Sequence, residues 1–178
     1  MRTVRPGRLL AVAFLLVTGP AAWADVLTGK VVHIDDGDSL AVLADGHRRV
    51  GVRLGAIDAP EKGQPYAEKS RQSLARLVLD REVRVEWDRH DRYGGVVGKV
   101  WVTSPDARCQ HAACPKTLDV GLAQITVGLA WHYKRYAPEQ SEEDREHYAF
   151  AEEEARARRA GLWRDRAPVA PWEWRRGR

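Results

Sequence analysis

The sequence predicts an α+β domain dominated by β structure: a five-stranded antiparallel barrel with three covering helices. Three observations point there. The first half alternates at the two-residue period of strands, one helical stretch interrupts it, and after a cysteine-containing loop the period becomes helical. Val26 to Ile34 is β-rich and stops at the turn Asp35-Asp36-Gly37-Asp38. Ser39 to Ala44 is a second strand, Asp45-Gly46 a hairpin signal, and His47 to Gly55 a third strand. Pro65 opens a helix in which Ala67, Ser70, Leu74, Leu77 and Val78 share a face. Glu82 to Asp88 reads as the fourth strand, Arg92-Tyr93-Gly94-Gly95 as a turn, and Val96 to Val102 as the fifth.

Leu118, Leu122, Ile125 and Leu129 then define a short amphipathic helix ending near Gly128. The last helix opens on Ser141 with Asp144 three residues on, a capping-box variant. Its acids Glu142, Glu143 and Asp144 crowd the start and Arg156, Arg158 and Arg159 the end, matching the helix dipole, with Gly161 as the expected C-cap. The tail Pro171-Trp172-Glu173-Trp174 and its basic residues fit either a strap packed on the domain or a frayed terminus. Strands, helix, strands and helices in this order fit an OB fold, a barrel that commonly binds oligonucleotides.

Residues 1–24 have the layout of a secretory signal peptide. Arg2, Arg5 and Arg8 form a positive region, Leu9 to Val17 is apolar, and Ala22-Trp23-Ala24 is a small-x-small cleavage site. The alternative, a membrane anchor, is disfavoured because the apolar run is too short to span a bilayer. The expected domains are therefore the leader, an OB-fold domain over 25–166 and a Trp-rich basic tail over 167–178. The expected product is an exported, periplasmic or secreted monomer with no membrane association after cleavage. Taking the three leader arginines from the 29 basic residues leaves 26 against 25 acidic ones, a net of +1 rather than +4. Any nucleic-acid binding must then come from local charge clustering, not from the field of the whole molecule.

Cys109 and Cys114, in Cys-Gln-His-Ala-Ala-Cys-Pro, read as a disulfide in an exported protein. Closing so small a loop contributes about 2 kcal/mol in the chain-entropy picture. The competing reading is a metal site on Cys109, His111 and Cys114, which would need a fourth ligand from elsewhere.

Three segments concentrate the unusual residues: Ile34-Asp35-Asp36-Gly37-Asp38-Ser39, Val52-Arg53-Leu54-Gly55-Ala56-Ile57-Asp58-Ala59-Pro60-Glu61, and Asp91-Arg92-Tyr93-Gly94-Gly95. Each alone is explained by turn chemistry. Together they bring hard carboxylates suited to a hard divalent cation, an acid at the rim, and an arginine fork. A phosphodiester needs those parts: charge neutralisation, an oriented water and donors to the phosphoryl oxygens.

The order Asp-Gly-Asp-Ser, Arg-Leu-x-x-Ile-Asp-x-Pro-Glu, Asp-Arg-Tyr-Gly, Gly-Leu-Ala-Trp and Gly-Leu-Trp resembles the staphylococcal nuclease, or thermonuclease, family over residues 28 to 165. The resemblance implies a calcium-dependent nuclease that hydrolyses DNA and RNA and leaves 3′-phosphates. It implies Asp38, Asp58 and the main-chain carbonyl of Ala59 as Ca²⁺ ligands, and Asp36 as an acid supporting them. It makes Glu61 the residue that orients or deprotonates water, and Arg53 the phosphate-binding arginine. Tyr93, together with Tyr133 or Tyr136, stands where bases stack or phosphates are contacted.

One position departs from the pattern. The family's Tyr-Gly-Arg is Tyr93-Gly94-Gly95 here, so a second phosphate arginine is missing. Lys99 lies about 13 Å further along the strand, at roughly 3.3 Å per residue, which leaves Arg92 as the catalytic substitute. The alternative function is an OB-fold nucleic-acid-binding module with weakened catalysis. A protein-interaction module using the Trp-rich tail is a third class. Trp87, Trp101, Trp131 and Trp163 are expected in the core.

Overall fold

The computed structural model describes residues 25–177; residues 1–24, where a signal peptide is expected, lie outside the described residues. Five long strands form the barrel: β1 (Asp25–Ile34), β2 (Ser39–Ala44), β3 (Arg48–Leu54), β5 (Glu82–His90) and β6 (Val96–Val102). They run in the order β3-β2-β1-β5-β6, and a parallel pairing of β3 with β6 (Val52 with Val96, Leu54 with Gly98) closes the ring. Closure removes the open edges that a five-stranded sheet would otherwise expose. The two-residue period puts Val31, Val42, Val83, Val85, Val100 and Val102 inside, each at most 1% exposed.

Two short pairings were not visible in the sequence. β4 (Ile57–Asp58) pairs with β8 (Trp131–His132), and β7 (Leu118–Asp119) extends the sheet from β6. The second shortens the predicted amphipathic helix to α2 (Val120–Thr126), because Leu118 is taken into strand and Asp119 caps the helix, accepting from Leu122 N at 3.1 Å. Helix α1 (Ala67–Val78) starts two residues after Pro65, because Tyr66 adopts a left-handed φ of 70°. It buries Ser70, Ser73, Leu74 and Val78. Helix α3 (Glu142–Ala157) has the predicted cap, with Ser141 Oγ accepting from Asp144 N at 3.1 Å. Gly161 is not its C-cap. Arg158 holds that position, and Gly161 sits against Gly128, where an added Cβ would lie 2.1 Å from the Gly128 carbonyl oxygen.

The tail is a strap, not a frayed end. Helix α4 (Pro171–Arg176) seats Trp172 edge-on against Trp131 at 5.5 Å and stacked on Tyr133 at 5.3 Å. Gln64 Nε2 donates to Val169 O at 2.6 Å, and Ala170 and Pro171 are buried. Trp131 and Trp163 are core residues as expected, whereas Trp87 and Trp101 are only half-buried. Cys109 and Cys114 form a disulfide with Cα atoms 5.7 Å apart, which takes both sulfurs out of the competing metal reading. Among the described residues no helix is long and apolar enough to cross a membrane.

The turn after β1 is fixed by helices packed behind it. Gln124 Nε2 in α2 donates to Gly37 O at 2.9 Å and to Ser70 O at 3.1 Å, and Ser70 Oγ donates to Leu129 O at 2.7 Å. A Cβ on Gly37 would fall 1.9 Å from Ser70 Oγ and 2.8 Å from Ala59 Cβ, so only glycine fits. Gly37→Ala is expected to destabilise the fold by about 2 kcal/mol or more, the scale of overpacking in a tight interior. A chemical denaturation midpoint equal to wild type would show that the turn does not bear on α1.

Candidate active site

The antiparallel pairing of β2 with β3 sets Ser39 opposite Arg53, so the turn acid Asp38 and the end of β3 come together. Leu54 N donates to Asp38 O at 2.8 Å, locking the two strand ends. Beyond β3 the chain turns at Gly55-Ala56, with Ala56 at φ 65°, and re-enters as β4 to deliver Asp58. The apolar residues between, Leu54 and Ile57, belong to the core, while Arg53 and Glu61 stay accessible.

Asp38 and Asp58 are both buried, at 3% and 2% exposure. Asp38 Oδ2 accepts from Ala59 N at 2.9 Å, and its Oδ1 accepts from Ser39 Oγ at 2.8 Å. Arg53 Nη1 lies 3.9 Å from Asp38 Oδ1. Asp36 Oδ1 accepts from Asp38 N at 2.9 Å and so shapes the turn that carries Asp38. Glu61 is held at the rim by its own backbone, its N donating to Gln64 Oε1 at 3.0 Å.

Burial, and then the neighbouring Asp36, push the Asp38 carboxyl up to about 7. Burial also raises Asp58, against the pull of an arginine that the sequence reading did not place here. Arg175, on α4, donates through Nη2 to Asp58 Oδ2 at 2.7 Å and through Nη1 to Asp58 Oδ1 at 3.0 Å. The same Nη1 also reaches Glu61 Oε1. Two buried carboxylates, one of which already holds a cation through both oxygens, form a donor set that fits a hard divalent ion. Asp38, Asp58 and Ala59 are the residues that would hold it.

The structure thus brings together Asp36, Asp38, Arg53, Asp58, Ala59 and Glu61. The remaining predicted residues lie elsewhere. Arg92 sits on an exposed turn with its guanidinium 5.0 Å from the Tyr93 ring centre, and among the described residues no ion pair joins it to the site acids. Tyr93 is 81% exposed. Tyr133 packs between Trp172 and Tyr136, and Arg89 covers Tyr136. Gly95 does not have a positive φ; Gly94 does, at 84°. A side chain at 95 would start 3.0 Å from both Asp91 Oδ2 and Gly51 O. Lys99 is committed to Asp144 at 2.6 Å and Asp119 at 3.3 Å. The signal for Arg175 was the helical spacing of the tail. Trp172 and Arg175 are three apart and share a face, so the ring that anchors α4 also aims the arginine.

This barrel, with acids and an arginine converging where β1–β2, β3 and β4 meet, defines a chain of the staphylococcal nuclease homologue family, whose model matches residues 51–165. The chain belongs to that family. It is 43% identical over 166 residues to Protein ParB of Escherichia coli, covering 93% of this chain and 88% of the relative. It is 38% identical over 170 residues to the Micrococcal nuclease of Shigella flexneri, covering 95% and 91%. It is 32% identical over 168 residues to an uncharacterized endonuclease of Escherichia coli, covering 94% and 97%.

The raised Asp38 carboxyl has a stability consequence. In the folded protein it keeps its proton up to about pH 7, whereas in the unfolded chain it loses it near 3.8. The folded state therefore binds more protons between those values, and metal-free stability falls as pH rises through that window. Asp38→Asn should remove this slope and stabilise the chelator-treated protein at pH 8 by on the order of 2–4 kcal/mol. The amide oxygen can still accept from Ala59 N, and the Ser39 hydroxyl can turn to accept. Thermal midpoints of both proteins from pH 4 to 8 measure it; parallel curves would refute the assignment.

Proposed function

We propose that this protein is a calcium-dependent nuclease that hydrolyses phosphodiester bonds of DNA or RNA with little sequence specificity. The observation that carries the reading is the buried Asp38–Asp58 pair beside Arg53, with Glu61 at its rim. Family membership and relatives named nuclease and endonuclease support it. Calcium bound by Asp38, Asp58 and the Ala59 carbonyl would supply Lewis-acid neutralisation of phosphate charge.

The chain's own groups do the rest. Arg53, half-exposed at the end of β3, binds a phosphoryl oxygen and stabilises the negative charge that grows as phosphorus becomes five-coordinate. Glu61 orients a water and takes its proton as the water oxygen bonds to phosphorus and one ester P–O bond breaks. The leaving oxygen takes a proton from solvent. Asp36 holds the backbone of Asp38 in place. No base-reading set is required, since phosphate contacts carry no sequence information. The leader over residues 1–24 makes export to the periplasm or medium part of the proposal.

The test is cleavage of single- and double-stranded DNA and of RNA by the mature protein in calcium and then in excess chelator. Asp38→Ala and Asp58→Ala should each abolish calcium-supported cleavage, and Glu61→Gln should lower kcat by about 10², the usual scale for a lost general base. Full activity in chelator would rule out the calcium mechanism. Tight oligonucleotide binding without cleavage would favour the OB-fold binding module instead.

A further inference from the structure

Resting on the nuclease reading above, we propose that the C-terminal strap is part of the active site and that Arg175 is its second phosphate-binding arginine. The barrel places one guanidinium on the acid cluster, that of Arg53 on the Asp38 side. Arg175 reaches the same cluster on the Asp58 and Glu61 side, so two forks flank the position where a phosphate would meet the acids and the water held by Glu61. A phosphodiester has two non-bridging oxygens, and one arginine on each is the arrangement that gains most as both become more negative.

The strap's construction fits this role better than that of a passive tether. Arg175 projects from a helix seated on rigid rings: Trp172 is stacked on Tyr133 and edge-on to Trp131, which itself pairs through β8 with Asp58. The helix is anchored to the same small ladder that carries Asp58. Its arginine nevertheless remains 40% exposed. It keeps a face toward solvent and can pass from carboxylate to phosphate by rotation of its own side chain, without moving α4. Glu61, freed as Arg175 turns to the phosphate, becomes available to accept the water proton.

The experiment compares wild type, Arg175→Ala and Arg175→Lys in full-length mature protein. The readouts are kcat and KM for DNA in calcium, calcium binding by calorimetry without nucleic acid, and binding of a phosphorothioate oligonucleotide. A thermal midpoint in chelator checks folding. Arg175→Ala should lower kcat by about 10² or more, the scale of a lost transition-state donor, with KM and phosphorothioate affinity changed less than tenfold and calcium binding retained. Lysine, which keeps the charge but not the fork, should restore only part of kcat. If Arg175→Ala cleaves as fast as wild type or faster, the arginine merely covers the acids and the proposal fails. It fails equally if the kcat loss comes with loss of calcium binding. A wild type that shows no calcium-dependent cleavage would instead overturn the nuclease reading itself.

Discussion

Two carboxylates buried side by side at one end of a closed barrel are the constraint from which the rest of the site follows. Asp38 and Asp58 are almost fully enclosed, and burial raises the proton affinity of both, with Asp36 and Asp58 adding to it at Asp38. An isolated pair of this kind is unfavourable, because desolvation and like-charge repulsion both oppose ionisation. The surroundings answer with donors: the Ala59 N–H and Ser39 hydroxyl on Asp38, Arg53 beside it, and the Arg175 fork on Asp58. What remains is a site whose free energy improves whenever a cation arrives. That is the physical meaning of metal affinity here, and it comes at the expense of metal-free stability.

Such a site needs a rigid back wall. Gly37 lies against Ser70 and Ala59 too closely for any side chain, and the Gln124 amide ties Gly37 to α1 from α2. The turn bearing Asp38 is thereby fixed by two helices packed behind it. Closure of the barrel by β3 against β6 likewise fixes Leu54, hence Arg53 and the entry into β4. Positions far from the acids set their separation because interiors are close-packed and transmit small displacements.

Much of this was legible in the sequence, for physical reasons. Ser39–Ala44 and Val96–Val102 were bounded correctly because turn residues flank clean alternation, and the Ser141 cap was found because its chemistry is local. The acids of the site were legible as motifs whose turns and strand ends could be placed. Elements decided by tertiary contact were not. Two-residue strands such as β4, β7 and β8 are too short to show a period, and Leu118 was therefore counted as helix. Gly161 looked like a C-cap, yet its small size serves the contact with Gly128. Arg175 stands 117 residues from Asp58; the spacing of the tail puts it on the face of Trp172, but no local rule connects that face to Asp58.

The arginine arrangement also bears on the glycine at position 95. Gly95 lies in the β5–β6 turn, where Asp91 Oδ1 accepts from both Tyr93 N and Gly95 N, and a side chain there would press on Asp91 and on the Gly51 carbonyl. That turn is a compact Asx-type structure whose acid is spent on backbone donors. Arg92 beside it is engaged with the Tyr93 ring. A second guanidinium delivered from α4 makes no demand on this turn, because it approaches from the β4–β8 side of the barrel, where Trp131, Tyr133 and Trp172 already build a stiff aromatic support. The cationic duties are thus divided between a strand end and a terminal helix, and the loss of the strap's register would reach the site through Trp172 before it reached the barrel core.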